Sequence, residues 1–513
     1  MYDIILFTDL TNANVPFKTM GAYKIANVLR LKGYKVKVVN NLLWILENEY
    51  SAFMTYLESV VTDNTKMFGF STTFMSVITH YKDEYIISKS GFTKWHKQGE
   101  RPTNKNINEL SHNYKIKPVF LKFLSDLKHK FYKTKRVMGG DVATSHILWN
   151  LCNDIEYWVQ GLAETSIVEF MRKIDIVDTG IFKYDRYASL YDFHNENFHY
   201  TLEDGILENE TLPFEMSRGC RFKCKFCSYP LLGRSSKDNK YLKSQDSIFR
   251  EMKYNYENFN TKNYIFLCDT FNETTDKLLD IKNVIDTLKI KLRFFSYLRI
   301  DLIHRYPEQI SILRDMGVSG AHFGIESLNH EAAKSIGKGL HTDKVLNTLE
   351  KCKKSWGNDT IIHSGFIVGL PNDTVETVEE WSGWLERNET PLTSWSLKAL
   401  NMNMKADDKL SYQSEFDINA EKYGYDRSGK YWKNKHWTYK SANEWIDNFY
   451  KKSNKEYSKY RTPSPHKALS FLNLDFTWDE IFNSHLIFDQ FKEEIHLRAE
   501  EKNQDYFNII TSE

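Results

Sequence analysis

Residues 213–227 read Pro213-Phe-Glu-Met216-Ser-Arg-Gly-Cys220-Arg-Phe-Lys-Cys224-Lys-Phe-Cys227: a strand candidate, Pro213–Met216, running into three closely spaced cysteines. Three thiolates this close make a soft, negatively charged pocket suited to zinc or to iron–sulfur. A closed structural zinc site needs a fourth ligand. No His or Cys lies between Cys227 and Cys268, and the nearest upstream histidines are His194 and His199. Three ligands without a fourth suit a four-iron cluster whose last iron stays open to a substrate or cofactor. A zinc knuckle, or thiols that merely share a core, are the plainer alternatives.

The strand before the cysteines opens a series. Tyr264–Leu267, Arg293–Leu298, Gly320–Gly324, Ile361–Ile367 and Trp395–Ala399 are further strand candidates. Helical spacing fits between them over Gln245–Tyr256, Lys277–Leu288, Pro307–Met316 and Val345–Trp356. Pro307 sits where a first-turn proline is tolerated, and Gly317 where a glycine ends a helix. Six βα units predict a partial (β/α)6 TIM-like barrel, with its chemistry at the strand C-terminal ends.

Upstream, Ile4–Phe7, Lys35–Val39, Met67–Phe70, Arg136–Met138 and Glu156–Val159 read as strands. Helices alternate with them from Ala22 to Leu29, over Ser51–Val61, over Val119–Phe131 and from Glu164. That alternation predicts an α/β, doubly wound, Rossmann-like domain over residues 1–200, with a polar insertion at about 82–114. The barrel is expected over 201–400, and an α-rich, aromatic cap over 401–513 that includes Tyr431-Trp432 and His436-Trp437.

Length and composition agree with several units. The chain has 513 residues, 69 Lys plus Arg against 68 Asp plus Glu, and a net charge of +1. That balance speaks against nucleic-acid or membrane binding driven by bulk charge. Six cysteines (152, 220, 224, 227, 268 and 352) are too few for a disulfide scaffold. The N-terminal stretch lacks a secretory pattern and no apolar run reaches a bilayer-spanning length, so a cytoplasmic, membrane-free protein is expected.

The cysteine spacing, with Phe226 before the third thiol, resembles the radical S-adenosylmethionine (SAM) superfamily. The resemblance implies a [4Fe-4S] cluster on Cys220, Cys224 and Cys227. Its open iron would chelate SAM, and one electron would split SAM to a 5′-deoxyadenosyl radical that takes a substrate hydrogen. Cys268-Asp269-Thr270-Phe271-Asn272 is similar to the family's Asp-Asp-x-Phe segment, with Cys268 in place of the first Asp, which implicates Asp269 and Asn272. Arg299 matches a basic residue that pairs with the SAM carboxylate, for which a guanidinium is well shaped. Gly324-Ile-Glu326-Ser327 resembles the segment whose acid binds a ribose hydroxyl or the amino group. Gly365-Phe-Ile-Val-Gly369 resembles the stretch beside adenine, and Lys338 occupies a position often basic in the subfamily. A solvated acid, a surface cation and ordinary turns are the structural alternatives for these residues.

The first 200 residues resemble the cobalamin (B12)-binding domain of one subfamily. Gly21–Gly33 is similar to its first helix, and Phe70-Ser71-Thr72-Thr73 to its serine loop. Gly139-Gly140 and Gly161-Leu-Ala-Glu164 are similar to two further turns. The Asp-x-His-x-x-Gly motif is absent. Cobalamin would imply methyl transfer to an unreactive carbon. A domain that keeps the fold without the cofactor would leave rearrangement, epimerisation or oxidation. A small-molecule or peptide substrate and an electron donor such as flavodoxin or ferredoxin are implied. The cysteine positions exclude a C-terminal auxiliary cluster and the three-cysteine N-terminal site of methylthiotransferases. The reading from another class is a non-catalytic zinc or RNA-binding protein, its C-terminal aromatics stacking on bases.

Overall fold

A computed structural model describes residues 1–10, 17–72, 75, 77–80, 114–140, 152–160, 163–183, 191–227, 241–386, 390–402, 414–429, 431–457, 462–484 and 488–512. The body of the expected insertion, Thr73, and Gly161-Leu162 of the expected turn lie outside them.

The N-terminal strands are β1 (Ile4–Phe7), β2 (Val36–Val39), β3 (Met67–Ser71), the antiparallel pair β4 (Ile78–His80) and β5 (Tyr114–Ile116), β6 (Lys135–Gly139), β7 (Tyr157–Gln160) and β8 (Gly180–Lys183). Apart from β4–β5, they form one all-parallel sheet in the order β2-β1-β3-β6-β7-β8. The inner strands bury both faces, as parallel strands between helices must, while Ile181 on the edge strand β8 is exposed. In β1, Ile4 and Leu6 face helix Met20–Arg30, whereas Ile5 and Phe7 face the core that holds Phe53 and Phe123. β8, helix Leu42–Asn48 and the β4–β5 pair add to the sequence-based expectation. Those two short strands flank residues 81–113.

The second sheet contains β9 (Leu212–Phe214), β10 (Asn263–Phe266), β11 (Arg293–Leu298), β12 (Val318–Glu326), β13 (Ile361–Val368) and β14 (Ser394–Ala399), paired in chain order and all parallel. This is the expected six-stranded partial barrel. Thr274 caps helix Thr275–Leu288 through the Lys277 N–H, a favoured use of a threonine hydroxyl. Gly317 ends helix Glu308–Met316 at φ +97, and a Cβ there would lie 2.1 Å from the Leu292 carbonyl oxygen. Only glycine fits that turn.

The region after residue 400 packs in three places. Trp432 and Tyr425 close on the end of β13. Helix Pro465–Phe471 fills the lower part of the barrel, touching β10, β11, β12 and β13. Helix Phe488–Thr511 runs back to the first domain, where Tyr506, Phe507 and Ile510 complete the core around Phe7 and Phe53. No helix among the described residues is long and apolar enough to cross a membrane.

Candidate active site

β9 ends three residues before Ser217, which is bridged to Leu242, and the chain then carries Cys220, Cys224 and Cys227 across the barrel's C-terminal end. All three thiols are free and partly exposed. Among the described residues, no three His, Cys, Asp or Glu side chains converge as ligands of one metal ion. A single zinc ion would need its ligands drawn to about 2.3 Å. A four-iron cluster suits the loop better, because it takes each thiolate on a different iron. Two polar groups already face the sulfurs. Arg299 Nη1 lies 3.2 Å from Cys224 Sγ, and Thr270 Oγ1 lies 3.2 Å from Cys220 Sγ. Hydrogen bonds to the sulfurs tune such a cluster.

Arg299 follows β11 and is locked on three sides. Its guanidinium makes two bonds to Asp301, at 3.0 and 2.7 Å, and stacks over Phe222 of the cysteine loop. Asn272 had been expected at the cofactor. Instead it is fully buried, accepting from the Arg299 N–H and donating to Arg299 O and Gln309 Oε1. It braces Arg299 and has no group left for a bound molecule. Asp269 lies in the lumen beside Tyr297, and burial, together with Glu215, pushes its carboxyl up to about 6.

Glu326 ends β12 at φ +69, where the β12–β13 register slips. A left-handed glutamate is strained, and such strain is characteristic of functional sites. Lys338 Nζ reaches both Glu326 Oε1, at 3.2 Å, and the Gly324 carbonyl, and it sits over the Phe226 ring. Lys338 is thus part of the site's rim. Ser327 is buried and its hydroxyl accepts from the Asn329 N–H. Gly365 faces the lumen next to His322. Gly369 departs from expectation: the Trp432 indole fills the space over its Cα, so it anchors the C-terminal region.

In the first domain, Ser71 and Gly139 are paired at the ends of β3 and β6, and the Thr72 N–H donates to Gly139 O. A Cβ on Gly139 would meet only Val159 O, at 3.4 Å, and Gly140 has φ +103. The C-terminal edge of this sheet is therefore built from small residues and open backbone.

The two C-terminal edges meet through a buried ionic network that no sequence motif announced. Arg218, two residues before Cys220, makes bonds of 2.8 and 3.0 Å to Glu215 and pairs with Glu164 at the start of helix Ala163–Lys173. Lys24 joins Glu215 to Glu196, and Lys243 joins Glu196 to Glu251. Four carboxylates thus face three cations. The surplus falls on Glu251, which burial pushes up to about 7, while Arg218 and Lys24 hold Glu215 down near 2. A carboxyl raised above its ordinary 4.5 gives its full stabilisation below pH 4.5 and loses it as pH rises through 7. Glu251→Gln should remove that loss, making the variant more stable than wild type at pH 8 by about 1–3 kcal/mol and nearly equal at pH 5. Thermal melts at the two pH values would show it; a variant less stable at pH 8 would refute the assignment.

This geometry defines a class. Residues 214–385 match the radical SAM superfamily, so this part of the chain is a radical SAM domain. Among its relatives, an uncharacterized methyltransferase of Pyrococcus horikoshii is 28% identical over 167 residues, 32% of this chain and 34% of that one. The bacteriochlorophyllide d C-8(2)-methyltransferase of Chlorobaculum tepidum is 26% identical over 185 residues, 35% of this chain and 40% of that one. The chain thus spans well under half the length of these relatives. The radical SAM methyltransferase TsrM from Kitasatospora setae, solved with tryptophan and a SAM analogue, superposes with a TM-score of 0.61 at 12% identity. The match covers 96% of this chain and 99% of that one, and it is a likeness of fold.

Proposed function

We propose that this chain is a cobalamin-dependent radical SAM methyltransferase acting on a carbon of a small-molecule or peptide substrate in the cytoplasm. The observation that carries the reading is the Arg218–Glu164 contact, which turns the small-residue edge of the first sheet toward the cysteine end of the barrel. The relatives named methyltransferases support it.

Cys220, Cys224 and Cys227 would hold a [4Fe-4S] cluster, which with bound SAM supplies radical chemistry, and Ser71, Gly139 and Gly140 would flank cobalamin, which supplies the methyl group. The protein's own groups orient these partners. Arg299 places positive charge on Cys224, and Asp301, Asn272 and Phe222 fix its direction. Glu326, held by Lys338, presents a carboxylate at the rim beside Phe226, where an amino group or ribose hydroxyl would find an acceptor. Flavodoxin or ferredoxin would supply the electron.

The test is anaerobic reconstitution with iron and sulfide, followed by SAM and reductant. Wild type should release 5′-deoxyadenosine or S-adenosylhomocysteine, and Cys224→Ala neither. Stoichiometric zinc with no nucleoside would refute the reading. Reconstitution with hydroxocobalamin should leave a corrinoid absorbance after desalting. Its absence, with nucleoside still formed, would turn the assignment to rearrangement, epimerisation or oxidation.

A further inference from the structure

Behind the cysteine loop lies a buried pair of opposite charges. Helix Thr275–Leu288 starts just after the 268–272 segment, and its first turn places Lys277 against Glu273. Lys277 Nζ lies 2.8 Å from Glu273 Oε1 and donates to Thr270 O at 3.3 Å. The Tyr241 hydroxyl donates to the other carboxylate oxygen, Glu273 Oε2, at 2.9 Å. The side chains of Lys277 and Glu273 are only 6% and 3% exposed, and Tyr241 is buried with them.

Stability does not call for ionic groups here. A buried ion pair is often no better than well-packed apolar side chains of similar volume. The helix is already fixed by its Thr274 cap and by Leu278, Ile281 and Ile285 in the core. What sets the pair apart is where its positive end lies. Lys277 is tied to Thr270, whose hydroxyl sits 3.2 Å from Cys220 Sγ and 2.9 Å from Asp269 O. Burial works against the Lys277 ammonium, but Cys268, Glu273 and Cys220 together hold its pKa above the ordinary value. Its charge thus reaches the first cysteine, as that of Arg299 reaches the second. The two cations differ in their counter-ions: Asp301 is 36% exposed and screened by water, whereas Glu273 is sealed. Asp269, Glu215 and Arg221 are the other charged groups recorded around the pair.

We propose that Lys277 raises the reduction potential of the cluster from the Cys220 side, and that Glu273, steadied by Tyr241, offsets part of its effect. The electron donor adds one electron, so the reduced cluster carries one more negative charge. A nearby buried cation favours that form, and net charge around a cluster is one of the levers that set its potential. The inference rests on the proposed function above only for the presence of the [4Fe-4S] cluster.

The test is an anaerobic potentiometric titration of reconstituted, SAM-free protein with dithionite. It follows the electron paramagnetic resonance of the reduced cluster, with iron and sulfide content measured for each variant. Removing a unit charge about 10 Å away, at an effective dielectric of about 20, changes a one-electron equilibrium about tenfold, which is about 59 mV. Lys277→Gln should lower the midpoint by about that much, and the isosteric Glu273→Gln should raise it by a similar amount. The double variant should return close to wild type. Lys289→Gln, which removes an exposed charge at the far end of the same helix, should leave the midpoint unmoved. A purely structural role would not give shifts of opposite sign. Shifts of one sign, or unmoved midpoints at full iron content, would overturn the assignment. If Lys277→Gln assembles no cluster, Glu273→Gln decides alone: its midpoint rises, or the assignment falls. Opposite shifts in protein that transfers no methyl group keep this inference and remove the cobalamin-dependent reading. Unmoved midpoints in an active methyltransferase do the reverse, and protein that takes up only zinc overturns both.

Discussion

Arg218→Met should lower stability by about 3–5 kcal/mol, the range for removing one partner from a buried charge group. Among the described residues Arg218 is the only cation paired with Glu164, and it shares Glu215 with Lys24. Its loss leaves Glu164 buried without a counter-charge at the junction of the two sheets. The melting temperature should fall by roughly 10 °C, at a few degrees per kcal/mol. Iron incorporated on reconstitution should fall as well, because the strand end that Arg218 fixes leads within two residues to Cys220. Arg218→Lys should rescue little: one ammonium cannot reproduce a guanidinium that serves Glu215 through two nitrogens while pairing Glu164. Arg218→Met with Glu164→Gln should recover part of the loss, since it removes the stranded charge. A melt unchanged from wild type would mean that the network does not join the sheets.

Gly369→Ala is expected to cost as much by another route. The backbone there has φ +94, and an added Cβ would lie 2.4 Å from the Trp432 indole. A left-handed conformation costs a side-chain-bearing residue roughly 1–2 kcal/mol, and overpacking adds about 1–3. Trp432 cannot simply retreat, because its Nε1–H donates to Leu400 O and Tyr425 Oη donates to Gly369 O. The expected sum is roughly 2–5 kcal/mol, read as a shift in the urea midpoint. Gly383→Ala is the control: nothing lies within 4 Å of its Cβ position in helix Val375–Glu386, so it should be neutral or slightly stabilising. Trp432→Phe in the Gly369→Ala background should restore the overpacking part and leave the backbone part. A midpoint unmoved by Gly369→Ala would refute the anchor.

These two sites also mark what the amino-acid sequence makes legible. Short apolar runs alternating with helical periodicity carry both sheets, because a parallel strand buried on both faces has little other way to read. The cysteine spacing is local, and so are the strand-end residues Arg299 and Glu326. Arg218 and Glu164 are 54 positions apart, and nothing local says that they meet. Gly369 fits a local motif whose purpose the Trp432 contact, 63 positions on, redefines. The lumen residues left a faint signal: His322 and His363 interrupt otherwise apolar strands, and strand periodicity alone puts them on the face opposite Phe323 and Ile362. Only the closed curve of the wall makes that face an interior.

Helix Phe488–Thr511 has a consequence for biogenesis. Tyr506 accepts from the Asn40 N–H and Asn503 accepts from Asn41, so the first sheet's core receives its final side chains from more than 460 residues downstream. During synthesis the first domain must wait, with an apolar face uncovered, until helix Phe488–Thr511 has been made. Contacts of such separation form slowly, and exposed apolar surface invites aggregation meanwhile. A domain made early relative to the helix that completes it is therefore finished late, and its yield in the cell depends on what shelters that face in the interval.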